Sequence, residues 1–185
     1  MKYPSWKDFE SKYPDYQEIA FEALARMLFR CRYELGDSLP YFKNHAGNET
    51  ETIVVDGEEI GFQAKYFDNE INASLIEHSI KTAHNNHPSQ SKMIVYTNLE
   101  FGNPRKRGET KTEKQKNIEQ VAKDCNIQLE WIASLHVLKS LSLGFLPNRR
   151  FCCNSRSLET RPSFLHLTSV FCRKLRNRLK ICHFP

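Results

Sequence analysis

Glu49-Thr50-Glu51, followed twelve residues later by Gln63-Ala64-Lys65, places two carboxylates, an amide and an amine within one short stretch. These are the side-chain types that phosphodiester hydrolysis draws on. That reaction needs a carboxylate to hold a divalent metal, a second oxygen ligand, and a cation near the attacking water or the scissile phosphate. Side chains alternate across a strand, so Gln63 and Lys65 share one face, as do Glu49 and Glu51. If Asp56-Gly57-Glu58 forms the connection, Val55 opposes Glu59, Glu51 opposes Gln63 and Glu49 opposes Lys65. One polar face then carries all four groups. A slip of one residue would divide the pairs between faces.

The elements that must position them are legible along residues 1–135. Ala20, Leu24, Met27, Leu28 and Cys31 recur at helical spacing over residues 17 to about 33, with Gly36 just beyond. Thr50–Val55 and Glu59–Phe67 alternate around Asp56-Gly57, a hairpin signal. Asn72 opens a second helix striped by Leu75, Ile76, Ile80 and Ala83, and His87-Pro88 ends it. Lys92–Thr97 suits a buried strand. Thr112 and Gln115 form a capping-box pattern before a third helix with Ile118, Val121, Ala122 and Cys125, and Ile127, Leu129 and Trp131 alternate as a last strand. The order α-β-β-α-β-α-β predicts an α/β fold, a mixed sheet flanked by helices.

Composition divides the chain near residue 136. Residues 1–135 hold 17 Lys and Arg against 21 Asp and Glu, whereas residues 136–185 hold 10 against 1 and four of the six cysteines. The second part has neither a strand nor a helix period. It is expected to be an irregular basic, Cys- and Arg-rich tail rather than an independent domain, as a shifted reading frame or a truncated gene would produce; a genuine basic arm is the competing reading. Cys152-Cys153, Cys172 and Cys182 do not match a zinc spacing. No apolar run approaches the roughly 20 residues of a membrane span, and Met1–Asp8 lacks the apolar stretch of a signal peptide. A cytoplasmic protein is the expectation.

An acid, then a strand ending in Gln63-Ala64-Lys65, preceded by a helix with Phe21-Glu22, resembles the PD-(D/E)xK nuclease superfamily in its Mrr-like branch, where the second acidic position is often Gln. More narrowly, the run from Phe21 through Gly47-Asn48-Glu49-Thr50-Glu51 to Ile60-Gly61-Phe62-Gln63-Ala64-Lys65-Tyr66 is similar to the N-terminal effector module of bacterial antiviral STAND NTPases. The resemblance covers residues 5–135. It implies a restriction-endonuclease-like fold and a Mg²⁺- or Mn²⁺-dependent endonuclease acting on double-stranded DNA in antiphage defence. Glu49 would be the first metal-binding acid, and Gln63 would stand at the second acidic position and coordinate through its amide oxygen. The Ala64 carbonyl would be a further ligand, Lys65 would orient or help deprotonate the water, and Glu22 would reach the metal through water. Glu51 is the alternative first ligand. A homo-oligomer is in keeping with such nucleases. A STAND NTPase sensor would be encoded separately or lost, since no Gly-x-x-x-x-Gly-Lys-Ser/Thr loop occurs.

Each feature also has a plainer reading. Gln63 is neutral, which removes one formal negative charge from the site. The stripe centred on Leu24 and Met27 puts Glu22 on the opposite side of its helix, where a solvated role is equally open. Arg105-Lys106-Arg107 could flank a DNA groove, where cations favour a polyanion, or form a solvated turn. His45 could touch a phosphate, against an incidental loop histidine. His78, His84 and His87 read as surface residues. A catalytically silent DNA-binding or assembly module, or a truncated remnant of a larger NTPase effector, is therefore the alternative to the nuclease.

Overall fold

The computed structural model describes residues 5–35, 47–104, 108–134 and 136–139. These residues belong to one compact unit, Met1–Leu143. His45 and Arg105-Lys106-Arg107 lie outside the described residues, as does the expected tail from residue 140 onward.

Eight elements follow in order: α1 (Trp6–Lys12), α2 (Gln17–Arg32), β1 (Ile53–Val55), β2 (Glu58–Lys65), α3 (Ala73–Asn86), β3 (Gln90–Thr97), α4 (Glu113–Asp124) and β4 (Gln128–Ile132). The strands form one mixed sheet in the order β1-β2-β3-β4. β1 runs antiparallel to β2, while β2–β3 and β3–β4 are parallel. Helical crossovers between parallel strands leave helices on the sheet faces. α3 and α4 pack on one face, where Ile76, Ile80 and Ala83 meet Met93, Val95 and Ile118. α2 packs on the other, where Phe21, Leu24, Ala25 and Phe29 meet Phe62, Ala64, Ile94 and Tyr96. Val137, in a helical turn after β4, is fully buried in that second cluster. The mixed sheet flanked by helices is as the periodicity predicts.

α1 is an addition to the predicted order. Seven residues are too few for a helical stripe to stand out, but Ser5 accepts the Asp8 N–H at 3.2 Å, an N-cap readable as Ser-x-x-Asp. Trp6 ties α1 to the rest of the unit by donating to the Ser134 hydroxyl at 2.6 Å. In α4 the predicted cap forms, with Thr112 Oγ1 accepting the Gln115 N–H at 3.2 Å.

Three predicted placements are corrected. Leu75, expected in the stripe of α3, is exposed, since the buried face of that helix runs through Ile76, Ser79, Ile80 and Ala83. The buried stripe of α2 runs through Ala20, Phe21, Leu24, Ala25 and Phe29, while Cys31 is exposed. Large aromatic side chains at 21 and 29 draw the helix round toward themselves, because they bury the most apolar area. Glu22 therefore flanks the stripe instead of opposing it. The hairpin register also differs. Val55 pairs with Glu58, Val54 with Glu59 and Ile53 with Ile60, so the loop is the two residues Asp56-Gly57. Both have positive φ, 51° and 84°, the backbone twist that a tight two-residue hairpin turn requires.

Candidate active site

The corrected register is the slip that would divide the expected face. What restores the grouping is a break in the strand. Extending the Ile53–Ile60 pairing would set Glu49 opposite Ala64, yet the Glu49 N–H donates to the Phe62 carbonyl at 3.0 Å. The ladder is interrupted over Glu51 and Thr52, and β1 covers only Glu58–Ile60 of its neighbour. The edge of β2 beyond Ile60 is left to the segment Gly47–Thr50.

Glu49 fits this edge twice over. Its backbone N–H satisfies Phe62, and its Oε1 accepts the Ala64 N–H at 3.1 Å. Unpaired strand-edge groups need partners, and one residue supplies both. The Gln63 side-chain amide also donates to Glu49 Oε1 and approaches the Ala64 carbonyl at 3.4 Å. Gln63 is buried. Lys65, two residues on, shares its face of the strand and is half-buried.

From the opposite face, α2 contributes Glu22 and Arg26. They are one turn apart and paired, Arg26 Nη2 donating to Glu22 Oε1 at 3.2 Å. Both reach Glu49 electrostatically. Burial, and then the Glu22 charge, push the Glu49 carboxyl up to about 7, against the Ala64 N–H, Lys65 and Arg26, which hold it down. The cluster thus joins Glu22, Glu49, Gln63, Ala64 and Lys65, all expected from sequence, with Arg26, which was not. Its signal was present: a cation four residues after a candidate acid on a helix. Glu51 is exposed and outside the ladder, because it lies within the break that follows Thr50.

Among the described residues, no three His, Cys, Asp or Glu side chains gather as a metal-holding group. The donors that do gather are mixed. Glu49 supplies a carboxylate and Gln63 an amide, whose Nε2 faces the carboxylate, so that coordination through its oxygen requires the group to turn over. Ala64 supplies a carbonyl on the same strand edge as its N–H, since both groups of a strand residue point one way. All are hard oxygen ligands of the kind that Mg²⁺ takes. A shielded carboxylate pushed up by burial and by a like charge is also one that a cation relieves. The set fits a divalent cation with few protein ligands.

A cavity of about 640 Å³ opens elsewhere, between the loop after β3 and the start of α4; Ile71, Leu99, Phe101 and Lys114 are among its lining residues. None of the cluster residues lines it, and concavity alone does not outweigh convergent, electrostatically coupled side chains as a sign of chemistry. No helix among the described residues is long and apolar enough to cross a membrane. No protein-family model matches the chain, and no curated protein matches it.

Proposed function

We propose that residues 5–135 form a restriction-endonuclease-like domain that cuts double-stranded DNA with Mg²⁺ or Mn²⁺, acting as an effector in antiphage defence. The observation that supports this most is the convergence of Glu49, Gln63 and Ala64 at one strand edge, with Lys65 and Glu22 acting on the same carboxylate. A mixed sheet in which the hairpin precedes the parallel crossovers is also in keeping with that fold.

Glu49, the Gln63 amide oxygen and the Ala64 carbonyl would hold the cation, with Glu22 behind them. The cation would supply Lewis-acid polarisation of the scissile phosphate. Lys65 offsets phosphate charge and orients the attacking water beside Glu49. Arg26 keeps Glu22 turned toward the site. Arg105, Lys106, Arg107 and His45 would contact the DNA backbone, and a sensor module would assemble the effector as a homo-oligomer.

The second reading is a catalytically silent DNA-binding or assembly module, favoured by the absence of a second carboxylate at position 63 and of any three-acid group among the described residues. Plasmid cleavage in Mg²⁺ and Mn²⁺ separates the two. On the nuclease reading Glu49→Ala and Lys65→Ala each lose about a hundredfold or more in rate. Cleavage by both variants at the parental rate would show that the site is wrong. DNA binding by the parent without cleavage would favour the silent module.

A further inference from the structure

Glu49 is not held in place by the hairpin, whose ladder ends at Ile53. Besides its own bonds to Phe62 and Ala64, it follows two residues that pack against other elements. Gly47 has φ +80°, and a Cβ there would lie 2.2 Å from the Ala83 nitrogen and 2.8 Å from the Ser79 carbonyl oxygen, so its backbone rests directly on α3. Asn48 is 2% exposed and Gln90, the first residue of β3, is 3% exposed. Asn48 Nδ2 donates to Gln90 Oε1 at 2.8 Å, and Gln90 Nε2 donates to the Lys92 carbonyl at 3.0 Å and approaches Asn48 Oδ1 at 3.5 Å. The pair lies over Gly61, where a Cβ would come within 2.3 Å of Asn48 Oδ1 and 2.7 Å of Gln90 Nε2.

Burying two amides is unfavourable unless each partners the other. Here the partnership links segments 42 residues apart, and one of them carries the candidate ligand. We propose that the Asn48–Gln90 amide pair, seated on Gly61, is the positioning device of the candidate site: it ties the Glu49-bearing segment to the start of β3 and so sets where the Glu49 carboxylate stands against β2. Its consequence for metal binding rests on the nuclease reading, whereas the tether itself does not.

The tether is read by amide hydrogen exchange in the full chain, comparing the Glu49 N–H, bonded to Phe62, with the Ile94 N–H in the interior of β3. Gln90→Met keeps side-chain length and removes both polar atoms. Glu49 is expected to exchange about tenfold faster relative to Ile94, since local opening loses buried hydrogen bonds that the sheet keeps. Asn48→Ala breaks the pair from the loop side, leaves β3 intact and should do the same, which covers a Gln90→Met chain that fails to fold. Ser91→Ala, which removes a neighbouring contact to the Glu59 carbonyl at 3.4 Å, should leave Glu49 exchange as it is. Equal acceleration of Glu49 and Ile94 in both amide variants would overturn the proposal, reducing the pair to ordinary core. Mn²⁺ binding followed by water-proton relaxation should weaken several-fold in the same variants. A parent that neither binds Mn²⁺ nor cuts DNA sinks the nuclease reading and leaves the exchange result to decide the tether.

Discussion

The α3–α4 face of the sheet and the outer edge of β2 are built on opposite principles. On the face, Ile76, Ile80, Ala83, Met93, Val95 and Ile118 are all fully buried and all apolar. At and beside the edge, Asn48, Thr50, Gln63 and Gln90 are buried and polar, around a half-buried Glu49. Apolar burial is non-directional and stabilises through area. Polar burial contributes only about 0.5–1.5 kcal/mol per hydrogen bond, is directional, and turns unfavourable wherever a group is left unmatched. A fold held together by its faces can carry one polar edge, and that concentration of buried polar groups makes the edge the candidate site.

The largest expected effect falls on the apolar side. Phe29 is fully buried and stacks on Phe62 with ring centroids 4.6 Å apart. Phe29→Ala should lose about 3–5 kcal/mol through transfer and cavity terms, read by urea unfolding, and should abolish any activity along with the fold. Gly47→Ala comes next. It combines a positive φ with a Cβ driven into the backbone of α3, neither of which a flexible neighbour can relieve, so a loss of about 2–3 kcal/mol is expected. A Gly47→Ala chain as stable as the parent would mean that the segment carrying Glu49 is free to move off α3.

The two regions also differ in how far sequence reasoning reaches them. The face is legible because periodicity reports burial directly. Ile76, Ile80 and Ala83 at helical spacing and the apolar run Met93–Val95 are where the structure puts them. The edge is half legible. The residue types at 49, 63 and 65 single out a candidate site, but their grouping does not arise from strand alternation. It arises from a two-residue turn that shifts the register and a strand break that shifts Glu49 again. The turn is set locally by Asp56-Gly57, but the strand break goes with contacts of Gly47 and Asn48 to α3 and β3 far along the chain, which no local pattern encodes. The Asn48–Gln90 pair escaped for the same reason, since it acts across elements, whereas Arg26 left a local signal four residues after Glu22 on one helix.

Glu49 itself should work against stability. Its carboxyl is raised from the ordinary glutamate value to about 7 by burial and by Glu22. The folded chain therefore binds a proton that the unfolded chain has released between about pH 4.5 and pH 7. Stability from this group is fully present below about pH 4.5, declines as pH rises through that window, and levels off above it. Glu49→Gln removes the titration and should be more stable than the parent at pH 8 by up to about 3 kcal/mol, with the two converging near pH 4.5. Thermal unfolding across that range checks it. Mn²⁺ at pH 8 should raise the parental Tm and leave that of Glu49→Gln unchanged, because the cation replaces the missing proton.

Lys65→Ala should have the smallest effect on folding and separates the two regions most sharply. Lys65 is half-buried at the end of β2, and its ammonium acts on the Glu49 carboxylate, holding its pKa down. Below pH 5, where Glu49 is protonated, removal of the ammonium should change stability by no more than about 0.5 kcal/mol. Above pH 7 the ionised carboxylate loses a countercharge, so a small destabilisation should emerge and the Glu49 midpoint should move further upward. Cleavage, in contrast, should be lost at every pH. A substitution that barely alters unfolding, alters it only when Glu49 is charged, and still eliminates DNA cutting would assign the edge to chemistry. A Lys65→Ala chain destabilised equally at pH 5 and pH 8 would instead make Lys65 part of the structural scaffold and return the edge to the same role as the face.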